Sequence, residues 1–173
     1  NEDVARLRAA SGIEAPPALV NPYLLRDPVA PHIAAEREGR RIEIAPIVEA
    51  YRQLAQLAEW VVVEGVGGFK VPLNEREDTA DMAAALGLPV ILVVPLRLGA
   101  INHALLTQAA IAASGCQLVG WVGNCVAPES PAGYMDALRE RLLAPCMGLV
   151  PHASDARLAE SVLDVRCLRD GAA

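Results

Sequence analysis

Apolar residues at positions 44, 47, 48, 51, 54, 55 and 58 recur at helical spacing, so residues 44–59 are predicted as an amphipathic helix. The period then changes. Residues 60–63, Trp-Val-Val-Val, form the continuous run expected of a strand buried on both faces. Residues 88–94 (LPVILVV) and 118–122 (LVGWV) read as two more such strands, and 147–150 (MGLV) as a shorter fourth. Helical segments are expected between them at 78–86, 102–114 and 131–142. Upstream, residues 2–10 read as a short helix, a proline-containing connector runs through Pro22, and 30–37 reads as a helix with Pro31 in its first turn. This β-α-β-α-β-α-β alternation predicts an α/β fold with a parallel sheet flanked by helices on both faces. No repeat or low-complexity linker divides residues 1–173, so a single domain is expected. In such sheets ligands bind beyond the C-terminal ends of the strands.

Composition narrows the possibilities. Hydrophobic residues make up 53% of the chain, yet the apolar runs are only strand-length, so no membrane span is expected. The start, Asn1-Glu2-Asp3, is acidic and lacks a signal-peptide pattern, which makes the cytoplasm the expected location. The absence of an initiator Met points to a processed or truncated start. Net charge is −6, and the one short basic stretch, residues 37–41, reads as a solvated helix end. With aromatics at 3%, neither the charge nor the stacking surface of a nucleic-acid binder is present. Cys116, Cys125, Cys146 and Cys167 form no C-x-x-C pair and have no histidines at metal spacing, so they read as buried or incidental thiols. Of the 15 basic residues all but Lys70 are arginine, and phosphate-transfer sites usually need a lysine in a particular place.

Three strand-end segments could carry chemistry. Glu64 is followed by Gly65-Val66-Gly67-Gly68. A carboxylate there can hold Mg²⁺ beside nucleotide phosphates, and the glycines free backbone N–H groups for anionic oxygen. An ordinary glycine turn with an exposed Glu64 accounts for the same residues equally well. Asn102-His103-Ala104 is expected to begin a helix, whose free N–H groups suit a carboxylate, although Asn102 could simply be the N-cap. His103 alone reads more readily as structural than as a catalytic base. Asn124, after the third predicted strand, presents a donor and an acceptor that suit an adenine edge, but a turn-forming asparagine is the plainer reading.

Taken in order, these segments resemble the dethiobiotin synthetases. The resemblance runs from about residue 1 to 151 and is strongest at 60–73 (WVVVEGVGGFKVPL), 88–107 (LPVILVVPLRLGAINHALLT) and 120–124 (GWVGN). The N-P-Y and P-H-I pattern within 20–34 adds weaker agreement. The resemblance implies a P-loop NTPase-like, three-layer α/β/α ligase of biotin biosynthesis. It implies ATP as co-substrate, Mg²⁺, 7,8-diaminononanoate and CO₂ or bicarbonate as substrates, and a homodimer. By resemblance, Asp3 and Glu64 are the magnesium carboxylates, and Gly65, Val66 and Gly67 form the loop at the phosphates and the diamine. Asn124 is the adenine-reading residue with Cys125 beside it, and Pro151, His152 and Ala153 close over the base. Gly99, Ala100, Ile101, Asn102 and Tyr134 receive the substrate's tail carboxylate from across the dimer interface.

The departures are specific. Pro95 stands where the family often has glycine, the stretch between Asn124 and Tyr134 is short, and the match fades after Pro151. No G-x-x-x-x-G-K-[ST] occurs, and Lys70 falls after the glycine turn, where it fills neither of the family's catalytic lysine positions. The expectation is a ligase domain lacking its N-terminal strand and phosphate loop, without ligase activity by itself and with a sheet edge left open. The alternatives are a nucleotide-binding regulatory or amidotransferase-like domain of the same superfamily, or a non-catalytic binding module.

Overall fold

Prolines and one capping aspartate mark where three helices of the first half begin. In the computed structural model, which describes residues 2–129, 131–152, 163–166 and 168, the chain folds as two compact units, Asn1–Gly87 and Leu88–Ala173. The first unit contains α1 (Glu2–Ala10), α2 (Pro17–Val20), α3 (Pro31–Arg37), α4 (Ile44–Leu54) and α5 (Thr79–Leu86). Pro17 and Pro31 each occupy the first turn of their helix, where a missing N–H costs nothing. The predicted connector through Pro22 therefore contains one helical turn, α2. Ala35, Ile42, Ile44 and Leu73 form the core of this unit, with Tyr23, Leu25, Ile47, Val48 and Met82 packed around them.

Two expectations in this unit are corrected. The helix predicted for 44–59 stops at Leu54 and tapers into tighter turns, in which Gln56 N–H bonds Gln53 O and Leu57 N–H bonds Leu54 O. Beyond it Ala55 is exposed and Ala58 only half-buried, so the apolar spacing there meets no buried core. Residues 60–63 are not a strand: they join no ladder among the described residues, and Val62 is 91% exposed and Trp60 56%. A β-branched run favours extended backbone, but only a hydrogen-bonding neighbour makes it a strand.

The second unit alternates β1 (Val90–Pro95), α6 (Ala100–Ala113), β2 (Leu118–Asn124), α7 (Tyr134–Arg141) and β3 (Cys146–Val150). The three strands are parallel in the order β1-β2-β3, with Val93 opposite Val122 and Asn124 opposite Val150. The parallel sheet with flanking helices is as predicted, whereas the helices expected on both faces are, for α6 and α7, on one. Successive crossovers of one hand between neighbouring strands put their helices on the same side. Accordingly, α6 and α7 contribute Ala100, Ala104 and Leu138 to one cluster with Leu92, Val94 and Trp121. On β1 the residues between, Ile91 and Val93, remain exposed. Pro95 ends β1 at the sheet edge, where a residue without an N–H is tolerated. No described helix is long and apolar enough to cross a membrane.

Candidate functional site

The C-terminal ends of the three strands bring one set of predicted residues together. Leu96 N–H bonds Asn124 O at 2.8 Å and Cys125 N–H bonds Val150 O at 2.9 Å, so the chain leaves β1, β2 and β3 side by side. Asn124 is the last residue of β2 rather than a residue after it. By strand alternation its side chain leaves the sheet opposite to Gly123, whose Cα faces Met135 of α7. The Asn124 amide has no hydrogen-bond partner among the described residues, which leaves both its donor and its acceptor for a ligand. Cys125 beside it is half-buried, and Pro151 and His152 follow β3 on the exposed surface. Ala153 lies outside the described residues.

Beyond β1, Gly99 at φ 90° starts α6 at Ala100, two residues before the predicted start. Asn102 is therefore a first-turn residue and not the N-cap; the left-handed backbone that Gly99 alone adopts easily fixes the earlier start. Ala100 N–H bonds Arg97 O and His103 N–H bonds Gly99 O, each at 3.0 Å. The N–H groups of Ile101 and Asn102 between them have no acceptor among the described residues, as at any helix start that lacks side-chain caps. Tyr134 is the first residue of α7, set by Gly133 at φ 76°, so this helix begins later than the predicted 131. Its ring packs against the sheet–helix cluster, half-buried.

Glu64, Gly65, Val66 and Gly67 belong to the first unit and are all exposed. Glu64 does not close a buried strand, because residues 60–63 form none; it has no ion pair or hydrogen bond among the described residues. Gly67 takes φ 69°, which only glycine adopts without strain. Asp3 lies in α1, and its side chain is outside what the structure describes.

Sequence reasoning missed how the glycine turn is held at its far end. Lys70 pairs with Asp78, the N-cap of α5. The hydrogen bond and the Asp78 charge raise the Lys70 ammonium above its ordinary value, and the same bond holds the Asp78 carboxyl below the usual carboxylate range. Asp78 Oδ1 accepts from Ala80 and Asp81 N–H, and Asp81 Oδ2 accepts from Asp78 N–H at 2.8 Å, a complete capping box. The spacing Asp78-x-x-Asp81 was the available signal.

A family model described as an AAA domain matches residues 1–158. The ATP-dependent dethiobiotin synthetase BioD of Aromatoleum aromaticum is 52% identical over 168 residues, covering 96% of this chain and 75% of that protein. The chain belongs to the dethiobiotin synthetase family. Proteins of the same name from Ralstonia nicotianae (51% over 170 residues, 95% of this chain and 74% of the relative) and a Janthinobacterium species (50% over 172 residues, 97% and 73%) agree. The resemblance carried by E-G-x-G-G, L-G-A-I-N-H-A and G-W-V-G-N is thus borne out. So is the P-loop NTPase-like character of the parallel sheet and its flanking helices.

Proposed function

We propose that this chain serves in an ATP-dependent dethiobiotin-forming ligase: 7,8-diaminononanoate and CO₂ are joined into the cyclic urea of dethiobiotin, and ATP is cleaved to ADP and phosphate. The observation that carries this reading is identity of 50–52%, over 95% or more of the chain, to proteins named for that synthesis. In the proposed course, one amine takes up CO₂ as a carbamate, and the carbamate oxygen attacks the γ-phosphorus with ADP leaving. The second amine then displaces phosphate from the mixed anhydride and closes the ring. Such a reaction depends on positioning two amines beside the phosphorus and on balancing phosphate charge.

Residues 1–173 are proposed as one ligase domain, working as a cytoplasmic homodimer. Asn124 reads the adenine edge, with Cys125, Pro151, His152 and Ala153 around the base. Gly65, Val66 and Gly67 turn backbone N–H groups toward phosphate and diamine. Gly99, Ala100, Ile101 and Asn102 receive the tail carboxylate together with Tyr134, and the unpaired N–H groups of Ile101 and Asn102 support that role.

Glu64 would hold Mg²⁺ with Asp3. Magnesium is usually bound by one or two carboxylates, with substrate phosphates and water filling the remaining positions. An exposed carboxylate without a protein partner among the described residues fits that mode. When bound, the ion neutralises charge that develops on the transferred phosphoryl group. Glu64→Gln in the full-length enzyme is expected to lower turnover on the order of 10²–10³-fold with the fold intact. Near-normal turnover across a magnesium titration would remove Glu64 from the site.

A further inference from the structure

Thr79 is the only buried polar or charged residue among those described, at 4% exposure. It is the first residue of α5, fixed from behind by the Asp78–Asp81 capping box. Its hydroxyl donates to the Phe69 carbonyl at 2.7 Å, with the Gly68 carbonyl a longer second acceptor at 3.3 Å, and accepts from Val71 N–H at 2.9 Å. Its own N–H bonds the Val71 carbonyl at 2.9 Å. Thr79 thus engages the backbone of residues 68, 69 and 71 directly. Val71 in turn bears on the glycine turn: a Cβ at Gly67 would come within 3.2 Å of Val71 Cγ2. A rigid helix start, one hydroxyl and one valine therefore lead in sequence to the left-handed residue of the exposed loop.

We infer that Thr79 is a positioning residue for Mg-ATP, anchoring the C-terminal end of the 64–68 loop so that its N–H groups and the Glu64 carboxylate are presented in one arrangement. The inference rests on the reading of that loop as the phosphate and metal contact. A run of glycines has the largest conformational entropy to lose when it closes on a ligand. An anchor at one end removes part of that loss before ATP arrives. Thr79 touches no reacting atom and acts only through the loop.

The test is the steady-state kinetics of Thr79→Val and Thr79→Ser in the full-length enzyme. Valine keeps the shape and β-branching but leaves Phe69 O and Val71 N–H unpaired, whereas serine keeps the hydroxyl. Thr79→Val is expected to raise KM for Mg-ATP roughly tenfold while KM for the diamine stays unchanged, and Thr79→Ser is expected to restore near-native KM. A general loss of folded enzyme would lower apparent kcat without that split. An unchanged KM for Mg-ATP, or an equal rise in both KM values, overturns the inference. Glu64→Gln measured alongside separates the two layers. If Glu64→Gln is impaired and Thr79→Val is not, only the anchor fails; if Glu64→Gln is silent, the loop reading and the anchor fail together. Should Thr79→Val not fold, hydrogen exchange on the unaltered enzyme decides. The Val71 amide must then exchange as slowly as helical amides of α5, and fast exchange removes the anchor.

Discussion

Tyr134 stands at the first position of α7 with its ring half-buried against the sheet–helix cluster, and no hydrogen bond holds its hydroxyl among the described residues. Deleting the oxygen therefore leaves the packing in place and tests the ligand contact alone. A hydrogen bond to a carboxylate contributes about 1.5–3 kcal/mol. Tyr134→Phe is accordingly expected to raise KM for the diamine by about tenfold or more while kcat stays within roughly twofold, because the contact is remote from bond making. Steady-state kinetics against diamine concentration checks this, and an unchanged KM would make Tyr134 a packing residue only. Glu64 behaves differently as a residue to read. Its chemistry was legible, a carboxylate directly before a glycine turn. Its setting was not, since exposure depends on whether residues 60–63 find strand partners, and none is present among the described residues.

At the scale of elements, α5 shows how a local motif becomes tertiary. Its capping box satisfies N–H groups of its own first turn, and Lys70 brings the preceding loop to the same aspartate. Asp78→Ala removes both and is expected to destabilise the first unit by about 1 kcal/mol. The sign with pH follows from the depressed carboxyl, held down first by the Lys70 hydrogen bond and then by the N–H groups of Asp81 and Ala80. A group whose folded pKa is lowered contributes its stability above the unfolded aspartate value of about 3.9 and loses it as pH falls through the lower folded value. Urea melts at neutral pH should separate wild type from Asp78→Ala, and the gap should shrink below about pH 4. A gap that persists undiminished in acid would show that the charge of Asp78 is not what stabilises the cap. The starts of α6 and α7 follow another rule. Both are fixed by glycines with positive φ, Gly99 and Gly133, and hydrophobic periodicity carries no trace of them.

For the whole molecule, the proposed homodimer, with a tail carboxylate received across the interface, has a sharp consequence. Glu64→Gln and Tyr134→Phe would damage the same active site from different subunits. In a mixed dimer one site would carry both lesions and the other neither. Equal mixing and random reassociation should therefore restore roughly a quarter of wild-type sites in a twofold-symmetric assembly, measured at low diamine concentration. No gain over the average of the two parents would mean that each subunit builds its site alone. The pieces legible along the chain are those whose cause is local. The helices over Glu2–Ala10, Pro31–Arg37 and Thr79–Leu86 have a proline or acidic start or a run of good helix formers within their own residues. The β-α-β alternation of the second unit and the family motifs are likewise written along the chain. Which apolar runs are core depends on how the chain packs. Val62 and Val94 both sit in continuous apolar, valine-containing runs, yet one is 91% exposed and the other 2%. The same holds for Thr79, an ordinary helix-start threonine in sequence, which is buried and hydrogen-bonded to the backbone of residues 68, 69 and 71. The physical reason is the same in both cases. Periodicity states which conformation a segment prefers, whereas burial and strand pairing depend on a neighbour supplied from elsewhere in the chain, and no local pattern names that neighbour.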